Sequence, residues 1–160
     1  MKLGAVVAVA LVACASRPPR MKVDARFAAY RTDFHTVWSA TTGELKQSFK
    51  WGLAVEDASS GRIETAWKRV ENARDSMSAE VTAQYVFRVK LHVVPEGNAW
   101  RIELDGEAAL YRPEMSVLQP FKHGAVDEPR WVKGRVDAVR TALHRRLEAH
   151  ATLSKPTIVL

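Results

Sequence analysis

From Val81 to Val94 the chain alternates. Val81, Ala83, Tyr85, Phe87, Val89, Leu91 and Val93 take one face, while Thr82, Gln84, Arg88, Lys90 and His92 take the other. Period two over so long a run predicts a strand with one buried and one wet face. Pro95 to Asn98 reads as a turn. A second strand then follows over Ala99 to Leu110. It sets Trp100, Ile102, Leu104, Ala108 and Leu110 against Arg101, Glu103 and Asp105, and the two acids could form cross-strand pairs with Arg88 and Lys90. Such pairs contribute little if exposed.

Two segments carry the helical period instead. In the first, Asp33 to about Lys50, Phe34, Val37, Trp38, Leu45 and Phe49 fall on one side. Thr32 or Asp33 supplies the N-cap, Lys46 and Lys50 suit the C-terminal end, and Gly52 is the expected left-handed stop. Gly43 costs this helix about 1 kcal/mol relative to alanine. In the second, Pro129 to about His150, Val132, Val136, Val139, Leu143 and Leu147 form a stripe, with Arg130, Lys133, Asp137, Arg140 and His144 outside it. Between the first helix and the long strands, Leu53–Asp57 and Arg62–Val70 read as a hairpin around Ala58-Ser59-Ser60-Gly61. Ala25 to Tyr30 is a short strand or an extended lead-in. Arg112 to Glu128 is a long connection interrupted by Pro113 and Pro120, and Thr152 to Leu160 is a loose tail. The order helix, hairpin, hairpin, helix predicts an α+β two-layer sandwich, an antiparallel meander sheet packed against an N-terminal and a long C-terminal helix.

The N-terminus stands outside this scheme. Met1 and Lys2 precede an uncharged run from Leu3 to Ala13, which has the form of a secretory signal and is too short for a bilayer-spanning helix. Leu11-Val12-Ala13-Cys14 ends it, and Cys14 is the one cysteine in the chain, so no intramolecular disulfide can form. This tetrapeptide resembles a bacterial lipobox, which implies cleavage before Cys14 and acylation of its thiol and amine. Two or more acyl chains anchor stably where one does not. The expected organisation is therefore a signal peptide over 1–13, a lipidated Cys14 and tether over 14–24, one domain over 25–150 and a tail over 151–160. Arg17, Arg20 and Lys22 of the tether either lie against anionic head groups or are solvated.

Composition narrows the classes. The 160 residues allow one ordinary domain. Hydrophobic residues are 47% and charged residues 26%, near the globular average. The net charge of +6 does not by itself mark a nucleic-acid site. An exported lipoprotein seldom meets nucleic acid, and none is expected as partner. No P-loop, G-x-S-x-G, H-E-x-x-H or G-x-G-x-x-G is present. His123, Asp127 and Glu128 share the long connection, and Ser59 and Ser60 share a turn. Solvated polar groups account for both sets better than a metal site, an acid–base pair or a nucleophile. Neither catalysis, a metal nor a cofactor is expected.

One stretch carries a family resemblance. Thr36 to Lys68 reads T-V-W-S-A-T-T-G-E-L-K-Q-S-F-K-W-G-L-A-V-E-D-A-S-S-G-R-I-E-T-A-W-K. It resembles the repeated domain of the BamC (NlpB) lipoproteins of the outer-membrane β-barrel assembly machinery. Val37, Trp38, Leu45, Asp57, Gly61, Ile63 and Thr65 occupy the matching places. The resemblance implies a helix-grip fold, a curved antiparallel sheet around a long C-terminal helix, in a lipid-anchored outer-membrane protein facing the periplasm. It differs from those proteins in having one such domain and a short tether, so no partner-binding positions carry over.

Two functions follow as expectations. The first is a non-enzymatic accessory or adaptor in envelope assembly, held in the membrane by its lipid and contacting an envelope protein through Met115, Val117, Leu118 and Phe121. These four are too apolar for an idle loop, although they also suit a plug for one end of the core. The second is a carrier of a lipid or other hydrophobic ligand between sheet and C-terminal helix, lined by Tyr85, Phe87, Trp100 and Val136. A carrier needs an interior cavity of roughly 300 Å³ or more; an adaptor needs a filled core and an exposed patch.

Overall fold

A computed structural model describes residues 23–70, 84–122 and 124–154. The signal, Cys14 and most of the tether lie outside them, as do Val81, Thr82, Ala83 and His123. Among the described residues no helix is long and apolar enough to cross a membrane.

The architecture is the expected α+β sandwich of one antiparallel sheet and two helices. Its spine is the hairpin of β5 (Gln84–Glu96) and β6 (Ala99–Arg112), paired without interruption from Gln84↔Tyr111 to Glu96↔Ala99. The turn is therefore only Gly97 and Asn98; Pro95 and Glu96 belong to the strand, since their partners Trp100 and Ala99 extend the ladder. Strands β2 (Leu53–Asp57) and β3 (Arg62–Thr65) form the next hairpin, and β3 pairs with β5. Gly61 closes that turn at φ +70, where a Cβ would stand 2.4 Å from the carbonyl oxygen of Val93. Only glycine allows both the left-handed backbone and so close an approach.

The expected strand over Arg62–Val70 divides at Ala66 and Trp67, and β4 (Lys68–Arg69) resumes along β5. Thr65 covers the break. Its buried Oγ1 accepts from the Val89 N–H at 3.0 Å, supplying the acceptor that the ladder loses there.

Of three further strands, β1 settles an alternative that the sequence left open, and β7 and β8 are additions to it. β1 (Ala28–Tyr30) pairs with Trp100 and Arg101 of β6, so the lead-in is a strand. β8 (Ala151–Leu153) pairs with β1, which makes the start of the supposed tail an edge strand. The domain thus extends past 150. β7 (Val117–Pro120), inside the supposed long connection, pairs with the last part of β6. The sheet order is β2-β3-β5-β6-β1-β8, with β4 beside β5 and β7 beside β6.

Helix α1 (Phe34–Gly43) starts at Asp33, whose carboxylate accepts from the Thr36 N–H at 2.8 Å and its hydroxyl at 2.6 Å. These bonds hold the Asp33 carboxyl below its usual pKa. The helix widens into a π turn over Glu44–Ser48, closed by Phe49 N–H donating to the Glu44 carbonyl. The stop is Lys50 at φ +52, not Gly52. Trp51 N–H donates to the Leu45 carbonyl, which draws the chain back one residue pair earlier than glycine placement suggests. The wider turn also places the mostly buried Glu44 carboxylate 2.9 Å from Arg146 on the second helix.

Helix α2 (Trp131–Leu147) buries Val132, Val136, Val139, Leu143 and Leu147, the whole expected stripe. The first four pack with Phe87, Val89, Leu91 and Ala108 of the sheet and Leu45 of the π turn. A second cluster, Ala28, Tyr30, Val37, Val93 and Leu147, fills the other end of the layer. Trp38 and Trp100, expected in the core, are half-buried at its margin: Phe34 stacks on Trp38 at 5.5 Å and meets Trp100 edge-on at 5.1 Å.

Candidate functional site

The β6–β7 hairpin groups three exposed apolar side chains, Met115, Val117 and Leu118, although Val126 and Phe27 elsewhere in the chain are more exposed than any of them. Pro113 opens a short 3-10 turn over Pro113–Met115, and Ser116 at φ +51 reverses the chain. β7 then runs back, from Val117 opposite Arg112 to Pro120 opposite Ala109. Among the described residues it pairs with β6 alone, and an edge strand tolerates a proline that cannot donate. Met115 is 55% exposed, Val117 45% and Leu118 36%. Phe121 behaves differently. Its N–H donates to the Ala108 carbonyl, and its ring is half-buried, stacked 6.1 Å from Tyr85. The four expected contact residues therefore divide: three face solvent, and Phe121 plugs the core end.

The four expected ligand-lining residues do not converge. Tyr85 pairs with Leu110, whereas Trp100 pairs with Pro95, so ten ladder positions separate them, roughly 33 Å of strand. Phe87 and Val136 do meet, but over Gly106, where a Cβ would be 2.4 Å from Val136 Cγ2 and 2.9 Å from Phe87 Cε2. That part of the sheet–helix interface is filled.

The polar candidates are engaged locally. The Ser59 and Ser60 hydroxyls each donate to Asp57 at 2.6 Å, and these bonds, with those from the turn's N–H groups, bring its carboxyl down to about 2. The fold carries His92 to this turn, but its Nε2 lies 2.9 Å from the Ser60 carbonyl oxygen, not from a hydroxyl. A nucleophile activated by that imidazole is not assembled. Glu128 accepts from the Gly124 N–H at 2.9 Å. Among the described residues no three His, Cys, Asp or Glu side chains are grouped for a metal.

The wet face of the sheet carries a charge ladder. Glu107 binds Lys90 and Arg88, and Arg88 also reaches Glu64 at 3.3 Å. Partial burial raises the Glu107 pKa, but the hydrogen bonds from Lys90 and Arg88 outweigh it and leave it lowered. Arg88 lies over the Trp67 ring at 4.7 Å. The alternation of Arg88, Lys90, Arg101 and Glu103 foretold the face, though not the partners.

Two features escaped the pattern. Phe27 and Leu153 are exposed where β1 and β8 meet; each stands in a segment too short to show a period. A half-open groove of about 440 Å³ lies between the end of α1, β4 and α2, lined by Phe49, Trp51, Lys68, Arg69, Val70, Phe87 and Arg135. Its residues come from distant stretches, so no local motif announces it. No protein-family model matches the chain, and no curated protein matches its sequence.

Proposed function

We propose that the protein is a lipid-anchored accessory of envelope assembly, attached to the outer membrane through Cys14 and contacting an envelope protein through Met115, Val117 and Leu118. The observation that carries this reading is the exposed apolar tip of the β6–β7 hairpin. An isolated domain gains nothing from three apolar side chains in water, whereas a partner removes them from it. β7 is also an edge strand, so a partner strand would add backbone hydrogen bonds to side-chain burial. The tip is well separated from β1, the first strand of the domain. β1 pairs with Trp100 and Arg101, and β7 with Ala109 to Arg112, roughly 30 Å further along β6. That separation favours a contact away from the anchor over insertion beside it. The lipobox and the resemblance of Thr36–Lys68 to the BamC lipoproteins support the compartment. The filled interface at Gly106 gives the carrier alternative less support in its expected form.

The test is capture from solubilised envelopes with the intact lipoprotein. Cys14→Ala should move the protein out of the membrane fraction and lose the captured partner. Met115→Ser with Leu118→Ser should weaken capture at least tenfold with the melting temperature nearly unchanged. Phe121→Ser should lower the melting temperature by several degrees. Undiminished capture by the Met115/Leu118 variant would remove the hairpin from the interface.

A further inference from the structure

The groove between α1, β4 and α2 has a one-sided chemistry. Lys68, Arg69 and Arg135 line it, and no acidic side chain does. Two other grooves among the described residues differ. One, on the wet sheet face, mixes Arg62 and Lys90 with Glu64, Glu103 and Asp105. The other, beside Phe34 and Trp100, has His92 as its one titratable side chain. Among the described residues neither Lys68, Arg69 nor Arg135 has a carboxylate partner, although most basic groups on the neighbouring sheet face do.

The cations are held, not loose. Lys68 Nζ donates to the Phe49 carbonyl at 3.1 Å, which fixes the ammonium and leaves it further N–H donors. The Arg135 guanidinium lies over the Trp131 ring at 5.5 Å, which occupies its face and leaves its in-plane N–H groups for an oxyanion. Beneath them the lining is apolar: Phe49 stacked on Trp51 at 5.2 Å, with Val70 and Phe87. The indole N–H of Trp51 is buried and meets no protein acceptor, and the same holds for Trp131. Phe87 lies between these two rings, 6.0 Å from one and 5.8 Å from the other.

We propose that this groove binds a single-chain anionic amphiphile, its oxyanion head held by Lys68 and Arg135 and its first methylenes lying on Phe49, Trp51, Val70 and Phe87. The volume suits a head group and a short run of chain, not a whole diacyl lipid. The site is distinct from the β7 hairpin and does not depend on partner capture there.

The experiment is calorimetric titration of the full chain in phosphatidylcholine nanodiscs, with empty discs subtracted. The probe is hexyl phosphate; inorganic phosphate supplies the head alone and hexanol the chain alone. Hexyl phosphate should saturate one site, with the other two at least tenfold weaker. Lys68→Gln with Arg135→Gln should weaken it at least tenfold. Lys133→Gln, on the same helix but outside the groove, should leave it unchanged. Saturation should also perturb tryptophan emission in the unmodified chain with the same constant, a readout independent of any variant's folding. Absence of saturable binding, equal affinity for phosphate or hexanol alone, or full binding by the Lys68/Arg135 variant would each overturn the proposal.

Discussion

Replacing Gly106 by alanine adds one methyl group at the tightest point of the sheet–helix interface. Its Cβ would stand 2.4 Å from Val136 Cγ2, 2.9 Å from Phe87 Cε2 and 3.1 Å from Phe87 Cζ. Neither neighbour can yield easily. Val136 is 9% exposed and Phe87 1%. Valine is stiff at χ1, and this one sits on the rigid turn of α2 that also buries Val132 and Val139. Overpacking of this kind costs about 1–3 kcal/mol. The gain from replacing a strand glycine offsets about 0.5–1 kcal/mol of that. The expected net loss is about 1–2 kcal/mol, or roughly 2–8 °C in melting temperature for a domain of this size. Chemical denaturation followed by tryptophan fluorescence measures it directly. The decisive comparison is Gly106→Ala with Val136→Ala. Removing the clashing methyls should make the pair less destabilised than the two single changes added together, by about 1 kcal/mol or more. If Gly106→Ala is neutral, or the two effects simply add, α2 is not seated on β6 as described. Space for a ligand would then exist where the interface is read as filled.

Two further predictions concern stability. Tyr30 is buried, and desolvation pushes its hydroxyl up to about 12. Above pH 10 the unfolded chain loses this proton first, so this contribution should be level from neutral pH to about pH 10 and be lost towards pH 12, by up to about 3 kcal/mol. In Tyr30→Phe that slope should flatten, as measured by denaturation at several pH values; an unchanged slope would assign it to another group. Gly43 and Gly134 sit in helices with room to spare, the nearest atom to a Cβ being Arg146 Nη2 at 3.7 Å for Gly43 and none within 4 Å for Gly134. Each alanine replacement should therefore raise stability by about 0.5–1 kcal/mol in thermal or chemical melts, and a loss at either position would mean that the helix there is not regular.

Long periodic segments were legible. The alternation of Tyr85 to Val93 and of Trp100 to Leu110 identified the central hairpin, and Val132 to Leu147 identified α2, because each buried face repeats often enough to outweigh local exceptions. β7 and β8 were not, and β1 was one of two readings, since three or four residues carry no period and become strands only because β6 and β1 offer them an edge. The π turn had no local signal either; it is fixed by the Glu44–Arg146 pair and by Leu45 in the core, both tertiary. Of the candidate contact residues, composition singled out the right segment. It could not separate Phe121 from Leu118, because that division depends on the register of β7 against β6. The basic groove joins Trp51, Lys68 and Arg135, which lie on three different elements, and only the folded chain brings them together.

The pairing of β1 with β6 and β8 also bears on the order in which the molecule can assemble. β1 is buried throughout, yet its two neighbours are made from residues about seventy and one hundred and twenty positions later. A chain emerging from its N-terminus during synthesis would carry Ala28-Ala29-Tyr30 unpaired until β6 arrives, and one edge of β1 stays open until β8 does. Closing such long loops is entropically slow, whereas β5 and β6 need only a two-residue turn. The central hairpin is thus the natural nucleus, with docking of the first strand a late event. During that interval the side chains of the first strand, all buried in the finished fold, remain in water.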